Sequence, residues 1–137
     1  HDVGKSLNPA IDRGQIEGGF IQGLGWLTTE ELVWNGDGRL TTHAPSTYKI
    51  PACADRPVDW RVGFYAEGEN SEETIHKSKA VGEPPLMLAI SAWLALSDAL
   101  SGINGDKIDG ATYPGLDAPA TPERILLCAN RLGARFV

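Results

Sequence analysis

Apolar side chains recur at Ile16, Phe20, Leu24 and Leu27, the three- and four-residue spacing of one helical face. Asn8-Pro9 ahead of them pairs a side-chain cap with a proline suited to a first helical position. Together they predict a helix from Pro9 to about Glu31. The opposite side of that helix carries Gly14, Gly18, Gly19, Gly23 and Gly25, with Gln15 and Gln22 among them. Each interior glycine costs about 1 kcal/mol relative to alanine, so a close approach must offset the loss. Two occupants fit such a shaved face: the backbone of another helix, or a bound cofactor met by glutamine amides. Glu17 is the only charge between Gly14 and Thr29, which leaves the helix almost no solvated side. The apolar stripe is expected to face inward, against Leu86, Ile90 or Leu94.

Period-two patterns follow. Asn35-Gly36-Asp37-Gly38 joins Leu32-Val33-Trp34 to Arg39-Leu40-Thr41-Thr42 and predicts a hairpin. Val58, Trp60, Val62 and Phe64 alternate with Asp59, Arg61, Gly63 and Tyr65 and predict a half-buried strand. Prolines bracket "PSTYKIP", residues 45 to 51, as an extended or turn segment, and a short extended piece is expected around Thr74–Lys77. Glu67 to Glu73 reads as an acidic, exposed loop. Pro84 to Leu100 is apolar nearly all round and predicts a second helix buried on most sides. Asn104 to Ala120 reads as loop, and Thr121-Pro122-Glu123 caps a final helix from Pro122 to about Arg131. The expected class is α+β, with buried helices packed on a small, mainly antiparallel sheet.

Composition narrows the chemistry. The 137 residues suffice for one domain with a core, and 42% hydrophobic with 22% charged residues is ordinary for a globular protein. A net charge of −6 with no basic cluster beyond Lys77 and Lys79 argues against nucleic acid. The apolar stretch Leu86–Leu96 is too short to span a bilayer, and no secretory signal is visible, so no membrane partner is expected. Cys53 and Cys128 form no Cys-x-x-Cys pair, and His1, His43 and His76 share no ligand spacing, so no metal-ligating set is expected. Two isolated thiols suit a reducing cytoplasm. Opening on His1-Asp2-Val3-Gly4 without methionine, the chain reads as part of something longer.

Glu83 stands out. It lies between Gly82 and Pro84-Pro85 at the mouth of the second helix. As a helix cap it would be poorly served, because the two prolines offer no N–H and leave only the Leu86 amide. A pre-proline residue is biased away from the helical region, so its backbone is expected to be extended. What results is a rigid carboxylate with few local partners. That geometry suits a base aimed at a ligand, with a helix cap as the other use.

Four stretches share a pattern: "DVGKSLNPAIDRGQIEGGFIQGLGW", "THAPSTYKIP", "SKAVGEPPLML" and "DAPATPERI". In this order they resemble the C-terminal part of the molybdopterin-binding portion of the xanthine dehydrogenase family, among the molybdenum hydroxylases. The resemblance implies that residues 1–137 are the C-terminal portion of that domain. It implies hydroxylation of a purine, from hypoxanthine or xanthine toward urate, at molybdenum held by a pterin dithiolene. Glu83 takes the position of the family's general base and Gln15 that of a glutamine bonding the pterin, which tilts the glycine face toward the cofactor reading. Gly82 would let backbone approach the metal's ligands. Ser78, Lys79 and Gln22 are expected to be structural. FAD and [2Fe-2S] clusters, like the substrate-orienting residues, would belong to other domains or subunits. An aldehyde or N-heterocycle oxidoreductase of the same family, or a non-catalytic binding module, are the alternatives. On its own, the fragment would be inactive and prone to self-association.

Overall fold

A computed structural model describes residues 1–103 and 113–134. It places helix α1 at Pro9–Thr28, α2 at Pro84–Leu88, α3 at Ile90–Ser101 and α4 at Pro122–Arg131. Single 3-10 turns occur at Cys53–Asp55 and Ile75–Lys77. The chain divides into two units, His1–Gly23 with Pro51–Ala89, and Leu24–Ile50 with Ile90–Val137.

In the first unit, Asn8 caps α1 as its type suggests, its Oδ1 accepting from the Ile11 amide at 3.2 Å. One turn apart on α1, Gly19 and Gly23 meet α2 directly. A Cβ at Gly19 would lie 2.9 Å from the Pro85 Cβ; one at Gly23 would overlap the Leu86 carbonyl oxygen and sit 2.8 Å from the Ala89 Cβ. Pro85 and Ala89 are fully buried there. These two glycines therefore seat a helix backbone, and the cofactor-wall reading fails for them. Gly14 and Gly18 have nothing within 4 Å of such a Cβ. The stripe serves two purposes along its length.

The apolar stripe of α1, expected against Leu86, Ile90 or Leu94, meets segment 57–63 and Leu88 in the first unit. Phe20 packs edge-to-face on Trp60, ring centroids 5.4 Å apart. Ile16 and Phe20 line a cavity of about 460 Å³ with Trp60, Val62 and Leu88. Trp60, Val62 and Phe64 are half-buried while Asp59, Arg61, Gly63 and Tyr65 are exposed, so the alternation does mark the sides of this segment. It is nevertheless not a strand, and Val58 is wholly exposed. A strand needs a hydrogen-bonded neighbour, and none lies beside it among the described residues.

The expected sheet is absent among the described residues; helices and irregular segments take its place. Two isolated antiparallel bridges remain, Gly4–Ser78 and Trp34–Leu40. The second closes the predicted hairpin turn. There Asn35 Oδ1 accepts from the Asp37 and Arg39 amides, and the Asn35 amide donates to the Arg39 carbonyl at 3.0 Å. Alternation records which side of a segment is covered. It carries no information about a pairing partner.

In the second unit α3 and α4 build the core from Leu100, Leu116, Ala120, Cys128 and Ala129, with Trp93, Leu96, Ile125 and Leu132 packed against it. Thr121 caps α4 through its Oγ1, which accepts from the Arg124 amide at 3.3 Å. Arg124 ties this helix to the end of α1 by an ion pair with Glu31 at 2.8 Å, and the Ala120 amide donates to the Leu27 carbonyl. Of the loop expected over Asn104–Ala120, residues 104–112 lie outside the described residues; 113–120 is irregular.

The single buried helix expected over Pro84–Leu100 is corrected on two counts. It breaks at Ala89, whose amide bonds three residues back to Leu86. Met87, Leu88, Ile90 and Leu94 are exposed. By length and composition alone the run Pro84–Ser101 would pass for a membrane span, which the stretch Leu86–Leu96 did not; yet Pro85, Ala89, Ser97 and Leu100 within it are buried in protein. An apolar circumference shows where polar groups are missing, and the partner for each side need not lie in the same chain segment.

Paired substitutions on α1 separate the two kinds of glycine. Gly18→Ala should be neutral or stabilising by up to about 1 kcal/mol, since it gains helix propensity in open space. Gly23→Ala should destabilise by about 1–3 kcal/mol through overpacking. Thermal midpoints of the two variants beside the parent protein check this, and equal shifts would refute the close-contact reading.

Candidate functional site

The segment Ala80–Glu83 leads into α2 and sets the position of Glu83. Contrary to expectation, the Glu83 backbone is helical, with φ −84° and ψ −39°. The pre-proline bias is a preference, and here the first turn outweighs it: the Leu86 amide donates to the Glu83 carbonyl at 3.1 Å. Its carboxylate makes no capping hydrogen bond, and it is exposed and in no ion pair among the described residues. Of the two uses left open for this side chain, the cap is not made.

Gln15 projects from α1 and is exposed. Its Oε1 lies 3.4 Å from where a Cβ of Gly82 would stand, an ordinary contact distance, so the two residues are neighbours. The fold thus brings Gln15 to Gly82, the residue before Glu83, from far away in sequence. Gly14 and Gly18, the open glycines, flank Gln15 on the same helix. Gln22 is exposed further along.

Upstream of Glu83, Ser78 and Lys79 are engaged structurally. Ser78 pairs with Gly4, the Lys79 amide donates to the Val3 carbonyl at 2.9 Å, and Lys79 Nζ donates to Asp2 Oδ2 at 2.6 Å. The Lys79 hydrogen bond, followed by that from the Gly4 amide, holds the Asp2 carboxyl below its ordinary range. Two residues of this arrangement escaped the sequence reading. Gly4 has φ +61°, and a Cβ there would strike the Lys77 carbonyl. The Asn70 side-chain amide donates to the same carbonyl at 2.8 Å. A lone glycine and an asparagine in an acidic loop offered no periodic signal.

The "THAPSTYKIP" stretch lies in the second unit and is described on its own. The Ala44 carbonyl accepts from the Thr47 and Tyr48 amides, which bends the chain between the two prolines. Tyr48 donates its phenol proton to Glu30 Oε2 at 2.5 Å, and Thr29 Oγ1 donates to the Lys49 carbonyl at 3.0 Å. Glu30 is buried, so Tyr48 gives a covered carboxylate its partner. That hydrogen bond raises the phenol's pKa above its ordinary value. A small apolar cavity of about 350 Å³ adjoins it, walled by Leu32, His43, Pro45, Tyr48 and Ile50. Among the described residues no group of three or more histidines, cysteines or carboxylates could hold a metal ion. Cys53 and Cys128 are both free thiols.

Comparison with known proteins bears on what these residues serve. Residues 1–57 match the model of a family described as a molybdopterin cofactor-binding domain. The chain is 51% identical to the xanthine dehydrogenase/oxidase of Rattus norvegicus, over 90% of the chain and 9% of that protein. It is 46% identical to the xanthine dehydrogenase of Oryza sativa subsp. japonica, over 98% of the chain and 10% of that protein. The chain therefore spans about a tenth of the length of these curated relatives. Among solved structures, a Cu,Mo-CO dehydrogenase matches with a TM-score of 0.79 at 20% identity, over 98% of this chain and 16% of that one. At that identity the match speaks for the fold alone.

The Tyr48–Glu30 contact predicts a titration. Because the raised pKa favours the neutral phenol in the folded state, the contact contributes stability below pH 10 and loses it as pH rises through the folded value. Ultraviolet titration should find one tyrosine ionising above 10, returning toward 10 in Glu30→Gln. A Tyr48→Phe variant with an unchanged titration curve would show that the assignment is wrong.

Proposed function

Since the chain belongs to the molybdopterin-binding portion of the xanthine dehydrogenase family, we propose that it forms one wall of the molybdenum–pterin site of a purine-hydroxylating enzyme, with Glu83 as general base. The observation that carries this reading is the Glu83 carboxylate itself. It is exposed at the start of a helix seated on glycines, and among the described residues neither a cap nor an ion pair occupies its oxygens.

The residues present fit the cofactor. Beside Gln15, whose amide can both donate and accept, the α1 backbone is bare at Gly14 and Gly18, a face that any Cβ would begin to fill. Gln15 would hold the pterin by hydrogen bonding, and Gly82 would leave the approach to Glu83 clear. When bound, the molybdenum–pterin group supplies oxygen transfer and acceptance of the substrate's electrons. Glu83 takes the proton released as oxygen is transferred; Pro84 and Pro85, with no N–H to offer it, leave its oxygens free for that task.

The curated relatives named as xanthine dehydrogenases favour a purine over an aldehyde as substrate. FAD and iron–sulfur clusters belong on other parts of the enzyme in this reading, because a cluster needs several thiolates and this chain has two separate free ones. Free thiols also suit a cytoplasmic setting for purine breakdown. The remaining domains would complete the pocket.

In the full-length enzyme, Glu83→Gln should lower turnover by at least about 10²–10⁴-fold, the contribution of a positioned base, while molybdenum content stays near that of the parent. An amide fills the same space and cannot take the proton. Reductive half-reaction rates and metal stoichiometry measure both quantities. A variant reduced by xanthine at the parent rate would remove Glu83 from the mechanism.

A further inference from the structure

Glu83 has no side-chain partner among the described residues, so its position is set by its backbone. One end of the Ala80–Glu83 segment is held by the packing of α2 on Gly19 and Gly23. The other end is Lys77–Lys79, and there the chain is strained. His76 and Lys77 both have positive φ, 53° and 60°, a conformation that non-glycine residues seldom adopt and two in succession still less.

Such a bend persists only if its surroundings hold it. The Lys77 carbonyl accepts from the Lys5 amide at 2.7 Å and from Asn70 Nδ2 at 2.8 Å. The same Asn70 amide group donates to Thr74 Oγ1 at 3.0 Å, and its Oδ1 accepts from the Glu72 amide at 3.0 Å. Asn70 thus joins the start of its loop to the end of the bend with one half-buried side chain. Beside the Asn70 amide, Gly4 must lack a side chain for the Lys77 carbonyl to come so near. The bend is gripped immediately before the segment that carries Glu83.

We propose that Asn70 and Gly4 are positioning residues for Glu83: they clamp the strained His76–Lys77 bend and so fix where the following segment delivers the carboxylate. This rests on the reading of Glu83 as the base. Asn70 touches none of the reacting groups in this scheme and acts only through the backbone.

The test uses the full-length holoenzyme and Asn70→Asp, which keeps the acceptor for the Glu72 amide and loses both donors. The limiting rate of reduction by xanthine should fall by about 10–100-fold, the scale on which small misplacements act. KM and molybdenum content should stay within about twofold. Hydrogen exchange of the peptide covering Ser78–Glu83 should quicken, a reading independent of activity. Adding Lys77→Gly, which takes positive φ without steric conflict, should recover part of the lost rate. In a Glu83→Gln background, Asn70→Asp should have no further effect on the residual rate. If Asn70→Asp does not accumulate loaded, Asn70→Ser, too short to reach the Lys77 carbonyl, takes the same measurements. An unchanged rate and exchange, or a loss that is equally large without Glu83, would overturn the proposal. A Glu83→Gln enzyme with parent activity would instead defeat the underlying assignment of the base, so the two failures are told apart.

Discussion

The contact between α1 and α2 is the constraint on which the first unit turns. Two glycines one turn apart remove the only atoms that would keep the helices at ordinary separation. Pro85 and Ala89 fill the space, both fully buried. A five-residue helix has little stability of its own, since one turn fixes several dihedrals for few hydrogen bonds. Its persistence has to come from packing, which Gly19 and Gly23 of α1 provide. Placing α2 there also places Glu83, the residue that opens it.

Requirements on a positioned base conflict with those on a stable surface carboxylate. Ion pairs and caps hold a side chain still, but they also occupy the lone pairs needed for proton transfer. On the proposed reading of Glu83 as the base, the restraint lies in the backbone instead. Prolines follow Glu83, packed helices lie beyond them, and a gripped bend precedes it. The strained residues sit four or more positions away from the carboxylate, so the bonds that stabilise them need not involve it.

Local signals were legible where they are self-contained. Asn8-Pro9 and Thr121-Pro122 start helices in both sequence and structure, because a cap depends on residues within one turn. The Asn35–Gly38 turn is equally local. Gln15 and Glu83 could be named from their motifs, though not the 3.4 Å approach of the Gln15 amide to the Gly82 Cβ position. What could not be read depended on distant partners. The alternating segment 58–65 has the sides of a strand and no neighbour to pair with. The glycine stripe looked uniform, and only its lower half meets another helix; Gly14 and Gly18 look alike in sequence and stand in open space. The bend at His76–Lys77 was taken for extended chain, because neither residue type announces a positive φ.

Two titratable contacts of this chain respond to pH in opposite directions. Asp2 has a lowered pKa, so what its pairing with Lys79 contributes is fully present above its ordinary value of 3.8 and disappears as pH falls below it. Tyr48 has a raised pKa, so its bond to Glu30 is intact below its ordinary value of 10.0 and is lost only above that. Both windows close outside the neutral range, from opposite directions. Asp2 is also exposed, and salt screening keeps its pairing weak even where it is complete. Between these limits neither fastening changes its protonation.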